Sequence, residues 1–173
     1  MRGIDRRDFL RIALAVGALP WIGRPARAAG LSGEATALLD TSPYVYVSPL
    51  RGDGQESRCH GEVWFAWLDG NVVLITAREG WKARSATTGS RKARLWVGDH
   101  GRWKGLTGKN EAFRAAPSFD AQARIVKDDA LFDRLIAVYE KKYPGEIGRW
   151  RDRFRSGFAS GERVLVVYEP IAS

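Results

Sequence analysis

Sulfur and imidazole are scarce in this chain: 173 residues contain one cysteine, Cys59, and two histidines, His60 and His100. A lone cysteine closes no intrachain disulfide, so stability has to come from a packed core. Cys59 and His60 are neighbours, but a closed metal site takes about four ligands. There is no CxxC pair and His100 is the only other histidine, so no metal site is expected. The same shortage leaves no Ser-His-Asp or Cys-His arrangement for nucleophilic catalysis. His100 reads as a turn residue following a strand. Long apolar runs are lacking too. The apolar stretch near the N-terminus, IALAVGALPWIG (12–23), falls short of the roughly 20 residues that span a bilayer. Internal repeats, low-complexity tracts and internal linkers are missing as well.

Hydrophobic residues make up 45% of the chain and aromatic residues 11%, which suffices for one domain with its own core. The formal charge is +8, unevenly spread. Residues 1–28 hold six Arg and two Asp, and the remainder keeps 22 basic against 18 acidic residues. A surplus of +4 over that remainder is an ordinary surface, and no nucleic-acid partner is expected.

The N-terminus reads DRRDFLR (5–11), then the short apolar stretch, then RPARAAG (24–30). Paired Arg6 and Arg7 ahead of Phe9 and Leu10, with Ala26-Arg27-Ala28 behind, resemble a twin-arginine export signal with an A-x-A cleavage site. The resemblance implies a signal peptide over 1–28, a mature domain over 29–173, a periplasmic or exported destination and the twin-arginine translocase as a transient partner. It implies no stable membrane anchor after cleavage. This route carries folded proteins, which suits a cofactor loaded in the cytoplasm.

The mature chain alternates apolar runs with turn residues. A short polar lead is helical around EATALLD (34–40), and YVYVSPL (44–50) has strand composition. RGDGQES (51–57) reads as a Gly/Asp turn rather than an adhesion motif. EVWFAWL (62–68) and VVLITA (72–77), joined by Asp69-Gly70-Asn71, predict a tight hairpin. Their unbroken apolarity predicts cover on both faces, as in a closed barrel. In RKARLWVGD (91–99), Arg91, Ala93, Leu95 and Val97 alternate with Lys92, Arg94 and Trp96, which predicts one inward face. GRWKGLTG (101–108) reads as turn plus strand, and AFRAAPSFDAQARIV (112–126) as a strand broken near Pro117. DDALFDRLIAVYEKKYP (128–144) predicts a helix capped by Asp128 or Asp129 and stopped by Pro144. GEIGRWRDRFRSGF (145–158) predicts a second, basic surface helix, and RVLVVYEPI (163–171) a closing strand. The fold class is mainly β with appended helices: a six-stranded split β-barrel.

The connector REGWKARSATTG (78–89) asks for an explanation of its own. It places three cations and a Trp between two strands. One reading is a solvated connector with its charges pointing outward. The other is an anion site, because a phosphate needs fixed cations and donors close together. Arg78, Lys82 and Arg84 would supply charge, Thr76 and Ser85 hydroxyls, and Trp81 a cover for a ring or a sugar.

The segment WFAWLDGNVVLITAREGWKARSATTGSRKARLWV (64–97) resembles the flavin-binding split-barrel superfamily, which includes the pyridoxamine 5′-phosphate oxidases and the deazaflavin-dependent reductases. The resemblance covers 43–171. It implies a phosphate-binding lysine at Lys82 and a strand-end hydroxyl at Thr76, with Arg84 and Ser85 in a short helix. It further implies FMN as cofactor, with a deazaflavin or haem as alternatives, a small-molecule substrate, oxidoreductase activity and a homodimer. Glu62 and Trp67 stand where the oxidases carry basic residues, and their long C-terminal substrate signature is missing, so vitamin B6 oxidation is not expected. A non-enzymatic flavin, haem or tetrapyrrole binder of the periplasm is the second reading.

Overall fold

A computed structural model of the chain describes residues 31–105 and 108–172. The twin-arginine segment lies outside the described residues. Seven antiparallel strands form one sheet in the order β2-β1-β5-β8-β9-β4-β3. They are β1 (Val45–Pro49), β2 (Gly61–Val63), β3 (Ala66–Leu68), β4 (Asn71–Ala77), β5 (Lys92–Val97), β8 (Ser118–Val126) and β9 (Arg163–Pro170). A separate two-stranded ribbon pairs β6 (Lys104–Gly105) with β7 (Gly108–Lys109). The helices are α1 (Gly33–Leu39), α2 (Trp81–Ser85), α3 (Asp129–Lys142) and α4 (Ile147–Ser160).

The strand count corrects the expectation of six. EVWFAWL divides in two: β2 pairs only with β1, and β3 pairs only with β4. The edges of the sheet therefore fall on one stretch of chain, 61–68, with Trp64 and Phe65 as a seam between them. Backbone groups at a seam lose ladder partners and need others. Tyr139 of α3 and Tyr143 at its C-cap provide them. The Tyr139 hydroxyl donates to the Trp64 carbonyl at 2.8 Å, and the Phe65 amide donates to the Tyr143 hydroxyl at 3.1 Å.

The hairpin forms at the expected place, with a two-residue loop. Asp69 has φ 51° and Gly70 φ 76°, the positive pair that suits the right-handed twist of the flanking strands. Of the two runs expected to be covered on both faces, β4 is so covered through Val72, Val73 and Leu74, whereas 62–68 is only partly buried along most of β2 and β3 because it forms the edges of the sheet; β9 is covered on both faces as well. Val72 and Leu74 of β4, with Val164, Val166 and Tyr168 of β9, face the barrel interior. Val73, Leu165 and Val167 face the opposite way, against Phe132, Ile136 and Phe158 of α3 and α4. In β5, Ala93, Leu95 and Val97 point inward, while Arg94 forks Asp120 of β8 at 2.7 and 3.0 Å. The second face of β5 ends in a smaller cluster of Tyr46, Trp96, Trp103 and Phe113. Phe113 sits on a 3-10 turn, Ala112–Ala115, so the broken strand foreseen at 112–126 begins only at Ser118.

Asp128 caps α3, its carboxylate accepting the Leu131 amide proton at 3.0 Å. α4 ends at Gly161, whose φ of 79° is the left-handed position glycine favours. Arg51 of the RGD triplet forks Asp53 within its own turn, so that triplet is a turn device.

Candidate functional site

A cleft of about 660 Å³ opens where the seam, β4, α2 and α4 meet. That is the size range of small-molecule and cofactor sites. One wall is aromatic and apolar: Trp64 of the seam, Ile75 of β4, Tyr139 of α3, and Trp150 with Phe154 of α4. Trp64 is held flat against Tyr143, ring centroids 4.3 Å apart and planes within 7°. The spacing of Trp150 and Phe154, i and i+4, puts both rings on one face of α4.

The other wall is charged. Lys82, Arg102 and Lys104 line it together with Glu62 and Asp99, and Glu146 joins the lining from the start of α4, on the side of Trp150. With three cations against three carboxylates, no general cationic funnel exists. An anion gains only where it lies nearer the cations than the carboxylates. Lys82 is the half-buried one. Its Nζ lies 4.4 Å from the centroid of the Trp81 ring. Burial holds its pKa below the usual lysine range, and the nearby Glu62 carboxylate pulls the other way.

Gly61 makes this arrangement possible. A Cβ there would stand 3.2 Å from the Trp81 ring, closer than ordinary contact, and 3.6 Å from Lys82 Nζ, in ordinary contact, so the missing side chain chiefly gives the indole its room over β2. The loop bearing Asp99, Arg102 and Lys104 is fastened at several points. Trp103 donates its amide proton to Glu62 Oε2 at 3.1 Å. The Tyr46 hydroxyl accepts from the His100 amide at 2.8 Å and donates to the Gly101 carbonyl at 2.7 Å. Asn110 donates to the His100 carbonyl at 2.6 Å.

Of the six residues singled out in the sequence, Thr76 and Lys82 line the cleft. Trp81 lies behind Lys82, packed against the barrel core. Arg78 turns away: its Nε donates to the Gly161 carbonyl at 2.6 Å, beyond the end of α4. Arg84 is exposed, and Ser85 bends its hydroxyl back onto the Lys82 carbonyl at 2.9 Å. The helix explains part of this. Lys82 and Arg84 are two residues apart, about 200° around the axis, so one site cannot take both. Arg102 and Lys104 lie in GRWK, which reads as turn plus strand, and Trp150 and Phe154 in RWRDRFR, whose mixed basic-aromatic face reads as that of an amphipathic surface helix. Their signal was the interleaving of cations and aromatics in GRWK and GRWRDRFR.

His100 lies in the connection after β5, as the sequence reads, and is half-buried, its ring 6.1 Å from that of Tyr46. Cys59 is exposed, and among the described residues no group of three His, Cys, Asp or Glu side chains could hold a metal ion.

No family model matches this chain, and no curated protein matches it. Solved structures do. The haem storage protein HutZ of Vibrio cholerae superposes with a TM-score of 0.53 at 16% identity, over 83% of this chain and 92% of its own. A conserved hypothetical protein of Mycobacterium tuberculosis reaches a TM-score of 0.52 at 18% identity, over 82% of each chain. A FAD-binding protein of Mesorhizobium loti reaches 0.51 at 16% identity, over 82% of this chain and 91% of its own. The chain shares their fold. At such identities the likeness speaks for architecture alone, and the chemistry rests on the cleft.

Proposed function

We propose that this chain is an exported flavin-binding protein of the pyridoxamine 5′-phosphate oxidase-like group, holding FMN in the cleft and acting as an oxidoreductase on a small molecule. The observation that carries the reading is the half-buried Lys82 amine, which lines one cleft with aromatic rings and with the cations Arg102 and Lys104. The donor set fits a flavin phosphate: a lysine point charge, a planar guanidinium and the Thr76 hydroxyl. Trp64, Trp150 and Phe154 fit a flat ring. The cleft is large enough for both parts.

When bound, the isoalloxazine ring supplies hydride or electron transfer. The protein's share is positional. Lys82 neutralises the phosphate, the aromatic wall excludes water, and the fastened 99–104 loop holds the exposed Arg102 and Lys104 at the rim of the cleft. Export by the twin-arginine route, a periplasmic destination and a homodimer belong to the same reading.

A carrier of haem or another tetrapyrrole is the competing reading, supported by the fold shared with a haem storage protein. Among the described residues no histidine lines the cleft, which favours the flavin. Titration of the full chain with FMN, a deazaflavin cofactor and haemin, followed by visible absorbance and protein fluorescence, tests the choice. Saturable FMN binding with reduction by NAD(P)H supports the proposal. A Soret shift without flavin binding establishes the tetrapyrrole carrier, and no binding of any of the three overturns both.

A further inference from the structure

Beside the cleft, at the far half of α4, two arginines stand together. Arg153 lies over the Trp150 ring, its guanidinium carbon 5.4 Å from the centroid, and Arg163 lies over the Phe154 ring at 5.3 Å. Both rings belong to the aromatic wall of the cleft. The two guanidiniums repel each other: burial and then the Arg153 charge hold the Arg163 pKa below its ordinary value. Two other arginines of α4 are neutralised, Arg151 by Glu140 at 2.8 Å and Arg155 by Asp133 at 3.3 Å, while Arg149 stands exposed at the start of the helix and, among the described residues, lies over no ring. Among the described residues no carboxylate forms an ion pair with Arg153 or Arg163. The acid acting on Arg163 is its exposed neighbour Glu162.

The placement is built into the helix. Gly157 sits inside α4, a position where glycine is less favourable than alanine. A Cβ there would lie 2.8 Å from Arg163 Cδ, so the notch admits the arginine stem across the helix. Arg163 is also cross-strand from Ala77, the residue after Thr76 of the cleft wall. Arg78 is fastened at the adjoining α4–β9 turn through Gly161.

Like charges set side by side, stacked on rings that line a cavity and left without carboxylates, mark where an anion is missing. We infer that Arg153 and Arg163, flanked by Arg78, form an anion-binding site distinct from the Lys82 group, which receives the phosphate or carboxylate of the reactant entering beside Trp150 and Phe154. The role as a substrate port rests on the flavin reading; the existence of the site does not.

Arginine Nε–Hε NMR of the full chain, titrated at about 150 mM salt with inorganic pyrophosphate and, separately, with malonate, tests this. The expected result is a saturable shift confined to Arg153, Arg163 and Arg78. Arg153→Gln and Arg163→Gln should each weaken the probe at least fivefold. Lys82→Gln should change it less than twofold. Arg153 is exposed, so its variant folds even where that of Arg163 does not. Tighter pyrophosphate binding assigns a phosphorylated reactant, and tighter malonate binding a carboxylated one; both uphold the site. Linear shifts spread over all exposed arginines, unchanged affinity in both arginine variants, or loss of binding in Lys82→Gln would overturn it. FMN titration of the same variants separates the two proposals. Absence of FMN binding defeats the flavin reading while the pyrophosphate result stands.

Discussion

The Tyr143 hydroxyl stands at the seam of the barrel, accepting the Phe65 amide proton at 3.1 Å and lying 2.8 Å from the Pro43 carbonyl it donates to. One side-chain oxygen thus closes two backbone groups that no strand reaches. Tyr143→Phe keeps the packing on Trp64 and leaves the buried Phe65 amide unpaired. Such a loss costs about 1–3 kcal/mol. Urea denaturation should show the midpoint falling with an unchanged slope, and an unshifted midpoint would remove the tyrosine from this role.

Lys82 carries the charge of the proposed phosphate site. Lys82→Gln keeps the stem over Gly61 and removes the charge, so FMN affinity should fall roughly 10- to 100-fold, as for a charge-assisted contact. Arg84→Gln, on the opposite side of α2, should change it less than twofold. Equal effects of the two variants would return the connector to a solvated loop.

Gly61 is a space requirement, not a turn. Gly61→Val should press on the Trp81 ring and the Lys82 amine and weaken FMN binding several-fold. The far-ultraviolet spectrum should stay that of the parent. Crystal structures of the variant with Trp81 and Lys82 unmoved would contradict this.

Lys142 supplies a pH signature. Its Nζ lies 3.6 Å from the centroid of the buried Phe65 ring, and burial lowers its pKa to about 8, against the opposing pull of Asp40. The folded pKa lies below the unfolded value of about 10.4. Between them the unfolded chain binds the extra proton, so stability from this group rises with pH across about 8 to 10 and its penalty is fully present below pH 8. Lys142→Met should therefore stabilise the protein more at pH 7 than at pH 10. A stability difference between variant and parent that stays constant over that range would sink the assignment.

Much of the architecture is legible in local chemistry. Asp69-Gly70 announces its turn through the positive φ it requires, Asp128 announces α3 through its cap, and the alternation in KARLWV announces an inward face. The division of EVWFAWL is not legible, because after Glu62 the run from Val63 to Leu68 is apolar without a break. The seam is set by which strands compete for their edges and by tyrosines some 75 residues away. The site divides in the same way. Thr76 and Lys82 follow from the connector, whereas the direction of Arg78 depends on the Gly161 carbonyl, supplied from the far end of the chain. The i, i+4 spacing pairs Trp150 with Phe154, but nothing in the sequence brings Arg102 to them; that meeting exists only in three dimensions.

The sheet's two margins, β2 and β3, are each three residues long and chained to one another through Trp64 and Phe65. A foreign strand seeking to lengthen the sheet finds very short templates, tethered end to end and overlaid by Tyr139 and Tyr143. Cross-β polymerisation needs a long, straight row of unanswered amides. The bend that opens the barrel at this segment thus also guards it against self-association into fibrils.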